Sequence, residues 1–347
     1  MLRSAVTQQP MGQFTMTPYE YKAMMEMAEK QSVQGLIIEC LISNQVKLQK
    51  KCVIEMMKIK NALVAGNRKL NQRAVELGKI FEDAGFRYCI IKGQGNTLMY
   101  PNPMSRLPGD IDIWPLAPRE ELRDFIMRTC PETTDDGPAH AEVPFFEDVV
   151  VEVHYKPSVF LGVKKYDKRL QQWFLDEAET QMSHWVSLPE TEGRIAIPTH
   201  EFNVIHQLSH IMKHFFTEGI GLRQLVDYYY VLKSADHSIS YTDTLKWLGM
   251  KKFARGLMWV EKELFHLDEK YFIVEANEKI GKLILSEIMA GGNFGSYDKR
   301  YTSRSKGLLA RGLTDVYRLL HFLPTFPLET LGTIADKTML NWRWTMR

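Results

Sequence analysis

The chain has 347 residues, 45% of them hydrophobic and 25% charged, and a formal net charge of +2. That balance excludes a disordered or low-complexity protein and allows one large domain or several small ones. It also gives no bulk charge that would mark nucleic acid as the partner. Charge is uneven along the chain: Lys47 to Arg73 is mostly basic, Glu120 to Asp148 mostly acidic, and the tail after Lys299 basic again. Cys40, Cys52, Cys89 and Cys130 form no CxxC pair and read as buried free thiols of a reducing compartment. Neither a signal peptide nor a run of the ~20 apolar residues a membrane span needs is present, so a cytoplasmic protein without a membrane partner is expected.

In chain order, Pro18 to about Ala84 carries apolar residues at helical spacing and predicts helices, closed at Asp83-Ala84-Gly85. The period then changes. Tyr88 to Ile91 reads as a short buried strand ending at Gly93, and after a Pro- and Gly-marked connection Asp110 to Trp114 reads as a second. "PREELRDFIMRTC" predicts a helix with an acidic first turn, and "VPFFEDVVVEVHYKP" contains a third strand. From Thr199, an N-cap, the pattern is almost wholly helical, broken by "AGGNFGS". The expected organisation is a helical region over 1–80, a small α/β core over 81–190 and a helical region over 191–347. The class is α+β.

Two acids one residue apart in an apolar strand need a reason. Side chains at i and i+2 of a strand share a face, so Asp110 and Asp112 are expected side by side, with Ile111 and Ile113 in the core behind them. Two adjacent carboxylates repel, and one pKa should rise unless a cation neutralises both. A divalent ion does so, and oxygen ligands suit Mg²⁺ (or Mn²⁺). Glu152, alone in "VVVEVHY", would be an expensive unpaired charge. On a neighbouring strand it completes a triad of Asp110, Asp112 and Glu152. In the metal-free protein the two aspartates and burial together are expected to raise its pKa. His154 lies on the same strand face as Glu152. Upstream, Gly93 lets backbone N–H groups approach a phosphate, and Lys92 and Arg106 offer positive charge to a triphosphate or to leaving pyrophosphate. Metals held by such a triad serve in-line phosphoryl transfer.

These residues resemble the nucleotidyltransferase superfamily, whose mark is a strand ending in Gly-Gly or Gly-Ser, a D-x-D or D-x-E strand and a later third acid. More narrowly the chain resembles an uncharacterised bacterial nucleotidyltransferase-like family with a "KG…Y…P…R…GDIDI" signature. Here that reads Lys92-Gly93, Tyr100, Pro103, Arg106 and Gly109-Asp110-Ile111-Asp112-Ile113, followed by Glu152-Val153-His154. The helical half matches through His206, His210 and the stretch Arg223 to Asp227; the likeness spans about Phe81 to Lys233. It implies a nucleotidyltransferase-like core with a mixed sheet. The implied activity is transfer of a nucleoside monophosphate from an NTP to a hydroxyl or phosphate acceptor, with Mg²⁺ (or Mn²⁺) as cofactor. Asp110, Asp112 and Glu152 would be the catalytic, metal-holding acids. Lys92, Gly93, Gln94 and Arg106 would bind the triphosphate, with His154, His210 and Asp227 on the acceptor side. The chain departs from the superfamily at Gln94, where Ser or a second Gly is usual, and in a longer gap between Gly93 and Asp110.

Two rivals remain at this level. One is a nucleotide-binding or regulatory module that keeps the fold without turnover, favoured by Gln94. The other is a metal hydrolase built on His206, His210 and His214, which share one helix face but have no HExxH-type carboxylate among them. Asp227 is expected to pair with Arg223 at i+4, with a contact to His210 a further option. Tyr228-Tyr229-Tyr230 is expected in the core.

Overall fold

A computed structural model describes residues 1–160, 162–298, 300, 314 and 316–345. By compactness the chain falls into two units, one of residues 1–157, 174–204 and 227–236, the other of residues 158–173, 205–226 and 237–347. Among the described residues no helix is long and apolar enough to cross a membrane. The basic tail noted after Lys299 lies largely outside the described residues.

The first unit begins with α1 (Leu2–Thr7), α2 (Pro18–Lys30) and α3 (Gln34–Ser43). Thr17 starts α2 with a capping box: its hydroxyl accepts from the Glu20 N–H, while the Glu20 carboxylate accepts from the Thr17 N–H at 2.8 Å. The long helix α4 (Lys50–Asp83) buries Leu63, Leu70, Ala74, Leu77 and Phe81 along one stripe. It stops where Gly85 takes φ +83°, a left-handed conformation suited to a glycine. At Gly78 a Cβ would stand 2.1 Å from the Tyr88 hydroxyl, so the helix can lie this close to the first strand only with glycine there.

Strand β1 (Tyr88–Ile91), a short helix α5 (Gly93–Thr97), β2 (Ile111–Pro115) and α6 (Arg119–Thr129) follow. Next come β3 (Asp135–Asp136), β4 (His140–Glu142) and β5 (Val151–His154). The five strands make a mixed sheet of order β1-β2-β5-β4-β3, in which β2 and β5 run parallel and the other neighbours antiparallel. Ile90, Ile111, Ile113, Val151 and Val153 face a core shared with α4 and with Leu122, Phe125 and Ile126 of α6. Each such aliphatic side chain contributes roughly 1.5–3 kcal/mol by burial. The period of 2 therefore turns Asp112, Glu152 and His154 to the opposite face. There Trp114, in the same alternation as Asp112, stacks on Phe202 at 5.9 Å and meets Phe174 at 6.3 Å. A hairpin of β6 (Trp185–Ser187) and β7 (Arg194–Ala196) completes the unit's strands. The two-residue β3, the short β4 and this hairpin carry too little apolar pattern to be read from sequence.

Helices α7 (Lys164–Ser183), α8 (His200–Thr217) and α9 (Leu222–Ser234) each contribute residues to both units. Thr199 caps α8 as expected, its hydroxyl accepting from the Phe202 N–H at 3.3 Å. Tyr228, Tyr229 and Tyr230 are all buried, as core residues should be.

In the second unit α10 (Thr242–Trp247), α11 (Lys251–Phe265), α12 (Glu278–Gly291) and α13 (Pro327–Thr345) are the main helices. A Cβ at Gly256 would come within 2.5 Å of Ile280, and one at Gly281 within 2.4 Å of Trp259, which is how α11 and α12 approach so closely. Phe215, Phe216, Phe253, Phe322 and Phe326 form an aromatic core, with Phe215 and Phe322 at 4.9 Å. On α11, Glu261 is fully buried, and neither carboxylate oxygen has a hydrogen-bond partner among the described residues. Burial raises its pKa well above the ordinary glutamate value. The folded state therefore prefers the neutral acid. That contribution to stability is complete below the unfolded pKa and is lost as pH rises through the folded one. Thermal unfolding measured across pH should show stability falling by up to about 1.4 kcal/mol per pH unit above pH ~4.3. Glu261→Gln should flatten that slope and raise the melting temperature more at neutral pH than at acid pH. An unchanged slope would contradict the assignment.

Candidate active site

The site lies on the face of the sheet away from the α4 and α6 core. Asp112 and Glu152 are register partners across the parallel pair β2 and β5, and His154 follows Glu152 on the same face of β5. One sheet face thus presents three chemistry-bearing side chains from two adjacent strands. His154 Nε2 stands 2.8 Å from Asp112 Oδ1 and 3.2 Å from Glu152 Oε2, while Nδ1 is 3.3 Å from the Lys156 carbonyl. His140, across from His154 on β4, brings Nε2 to 3.9 Å from Glu152 Oε1. Sequence reasoning passed over His140. It belongs to the short strand β4, which the hydrophobic pattern does not reveal.

Lys92 closes the cluster from the end of β1. Its Nζ is 2.5 Å from Asp112 Oδ1. The lysine takes φ 60° and ψ −138°, a conformation L side chains rarely adopt, and Gly93 continues with φ +32°. The Lys92 side chain is mostly buried against the acids.

Electrostatics follow from these contacts. Burial works against ionisation of Asp112, but Lys92 and the hydrogen-bonded His154 outweigh it and hold the carboxyl well below the usual carboxylate range. Burial also opposes the charge on Lys92 and on His154, yet the acids raise both pKa values. Asp110 shifts upward, mainly through the negative charge of Asp112, so one of the two aspartates rises as their spacing predicts. Glu152 overturns an expectation. Its pKa is lowered rather than raised, because burial and Asp112 are outweighed by the hydrogen bond from His154 and the charges of Lys92 and His154. Two cations set among the acids, Lys92 and His154, reverse the sign that the acids alone would give.

The remaining expected residues are placed as follows. Asp110 is exposed and precedes β2 rather than belonging to it, because ladder pairing starts at Ile111, whose N–H donates to the Val150 carbonyl at 2.9 Å. Gln94 is buried, and its side-chain amide donates to Asn71 Oδ1 on α4. Its side chain is thus engaged by the helix on the core side. Arg106 is buried and makes a two-pronged ion pair with Asp227, Nε to Oδ1 and Nη2 to Oδ2, both at 2.9 Å. The Tyr100 hydroxyl donates to the same Asp227 Oδ1 at 2.7 Å. Three residues singled out separately in the sequence therefore form one buried network, in which Asp227 serves Arg106 and Tyr100.

That network and α4 hold the long connection between Gly93 and Asp110. Asn67 donates to the carbonyls of Met104 at 3.2 Å and Arg106 at 2.8 Å, and Asn71 to that of Pro189 at 2.9 Å. Asn67 and Asn71 sit at i and i+4 within the apolar stripe of α4. Two buried amides there were the available signal that this helix clamps loops. His206, His210 and His214 lie in the second unit along α8, with ring centroids 6.5 Å and 4.3 Å apart in sequence order. Among the described residues, the group of three or more metal-ligating side chains with atoms within 4.8 Å of one another is Asp112, Glu152 and His154. The hydrolase reading gains no support from this geometry.

Lys92 competes for the oxygen that a cation would use. Lys92→Met should therefore tighten binding of Mn²⁺ to the metal-free protein several-fold, as measured by calorimetry. Weaker binding in the variant would show that Lys92 does not compete with the ion.

Fold and site together define a mixed-sheet α+β protein with acids facing each other on adjacent strands. The sequence profile of a family described as "Uncharacterised nucleotidyltransferase" matches residues 18–266, and the chain belongs to that family. Among solved structures it is similar to an antigenic nucleotidyltransferase-like protein from Paracoccidioides brasiliensis, at 11% identity and a TM-score of 0.36, over 61% of this chain and 95% of that one. No curated protein matches it in sequence.

Proposed function

We propose that the protein transfers a nucleoside monophosphate from an NTP to a hydroxyl or phosphate acceptor, with pyrophosphate as the second product. The observation that carries the reading is the pairing of Asp112 with Glu152 across parallel strands, in a chain of nucleotidyltransferase family membership. The donor set fits a divalent cation: two carboxylates and an imidazole nitrogen, all within 4.8 Å. Asp112 and Glu152 would hold Mg²⁺ (or Mn²⁺), with Asp110 at the exposed end of the site. When bound, the ion supplies Lewis acidity toward phosphoryl oxygens and lowers the pKa of an attacking hydroxyl.

The chain's own residues supply the rest. Gly93 opens the backbone for close approach of a phosphate, and Lys92 offers its ammonium to the triphosphate. The Gln94 side chain, held by Asn71, takes no part. Arg106 acts at a distance, since its guanidinium is committed to Asp227 and fixes the connection that leads into Asp110. His154 steadies the Asp112 and Glu152 carboxylates. The rival reading, a binding module without turnover, is favoured by Lys92 seated on Asp112.

Pyrophosphate release tests the choice, with each NTP, Mg²⁺ or Mn²⁺, and a cell extract as acceptor source. Glu152→Gln should lower turnover about 10²- to 10³-fold while nucleotide binding changes little, as for a group needed mainly in the transition state. Its side chain is 24% exposed, and this with its partial contacts limits the stability cost to about 1 kcal/mol. Release that is undiminished in this variant would reject the role of Glu152. Nucleotide binding without release in the wild type would establish the binding module.

A further inference from the structure

The cluster contains a nitrogen ligand that an all-oxygen Mg²⁺ site has no use for. His154 Nε2 points between Asp112 Oδ1 and Glu152 Oε2, the two oxygens best placed to hold an ion. Its other nitrogen, Nδ1, faces the Lys156 carbonyl. With Nδ1–H donating to that carbonyl, loss of the Nε2 proton to an incoming cation would leave the Nε2 lone pair facing the ion, the arrangement by which proteins orient metal-binding histidines. The ring is buried, follows Glu152 by two residues on one strand, and is fixed by that strand's register against β2. Its position is therefore set by the sheet rather than by a mobile side chain. His140 Nε2, on β4, is 3.9 Å from the second oxygen of Glu152.

We infer that His154 is a metal-selecting residue, and that the site formed by Asp112, Glu152 and His154 takes a first-row divalent transition cation in preference to Mg²⁺. The inference rests on the nucleotidyltransferase reading for the purpose of the ion, but its geometry stands without it. Mg²⁺ demands near-octahedral oxygen ligation and keeps much of its water, so an imidazole adds little to its binding. Mn²⁺ and the later divalent ions accept imidazole nitrogen readily, and the same nitrogen therefore contributes to their affinity alone. Selectivity then follows from one side chain placed between two carboxylates.

The test uses the full-length protein with each metal alone, in the absence of nucleotide. Calorimetry should give at least tenfold tighter binding of Mn²⁺ than of Mg²⁺ to the wild type. In His154→Asn that preference should fall below threefold, chiefly through loss of Mn²⁺ affinity. Electron spin echo measurements on the Mn²⁺-loaded wild type should show modulation from a directly bound ¹⁴N nucleus. This readout needs no variant and holds even if His154→Asn fails to fold. Mn²⁺ binding without ¹⁴N modulation, or a preference kept in His154→Asn, would overturn the inference while leaving nucleotidyl transfer intact. Absence of binding by either metal, with pyrophosphate release still present, would also overturn it. Absence of both binding and release would overturn the proposed function as well.

Discussion

Asp112→Asn is expected to lower nucleotidyl transfer by about 10³-fold or more, since a lost metal ligand removes several kcal/mol from transition-state stabilisation. It is also expected to destabilise the fold. From the spacing of the two aspartates alone, removing one charge relieves repulsion and leaves the protein at least as stable. The structure reverses the sign. Asp112 Oδ1 receives both Lys92 and His154, each buried, and its loss leaves two cations facing fewer anions. Breaking a buried pair typically costs 3–5 kcal/mol. Asp110 and Glu152 still face Lys92, so about 3 kcal/mol is expected here. Urea unfolding and turnover per folded molecule measure the two effects separately. Wild-type stability in the variant would mean that Lys92 is not held by Asp112, and wild-type turnover would remove Asp112 from the chemistry.

The second large effect lies away from the acids. Asp227→Asn is expected to cost about 3–5 kcal/mol, because it strands the Arg106 guanidinium, only 6% exposed, without its carboxylate. The planar fork of Arg106 uses two donors on two oxygens, so Arg106→Lys should cost nearly as much as a larger truncation. Tyr100, which shares Oδ1, should contribute less, about 1 kcal/mol for Tyr100→Phe. The double variant Arg106→Leu with Asp227→Leu separates a stranded charge from lost packing. It should recover much of the stability lost in either single variant, since an apolar replacement of both partners is often near neutral. Chemical denaturation of the set decides. A loss below about 1 kcal/mol in Asp227→Asn would show that the ion pair is not what holds the Gly93–Asp110 connection.

Much of this arrangement could be read before any coordinates. Tyr88–Ile91, the second strand and Val151–His154 announce themselves because apolar runs bounded by Gly and Pro are strong local signals, and α4 because its stripe repeats over many turns. Asp112 and Glu152 stood out as charges where the pattern demands burial, and they proved to be register partners. What stayed hidden depends on contacts distant in sequence. Nothing local tells that Lys92 turns back onto Asp112, since that depends on a positive φ at a non-glycine residue. Nor does local pattern pair Arg106 with a residue on α9, more than a hundred positions later. The same limit explains the wrong sign for Glu152. Its neighbours along the strand are apolar, and the cations that lower its pKa come from His154 two residues on and from the end of another strand.

The most direct test of the central claim is the fate of a labelled phosphate. Wild-type protein is incubated with a divalent cation, an acceptor extract and NTPs carrying ³²P at either the α or the γ position. Label from the α position should pass to an acceptor, label from the γ position should appear only in pyrophosphate, and both should vanish in Asp112→Asn. Transfer of γ label to an acceptor, or α transfer that survives in folded Asp112→Asn, would contradict nucleotidyl transfer at this site.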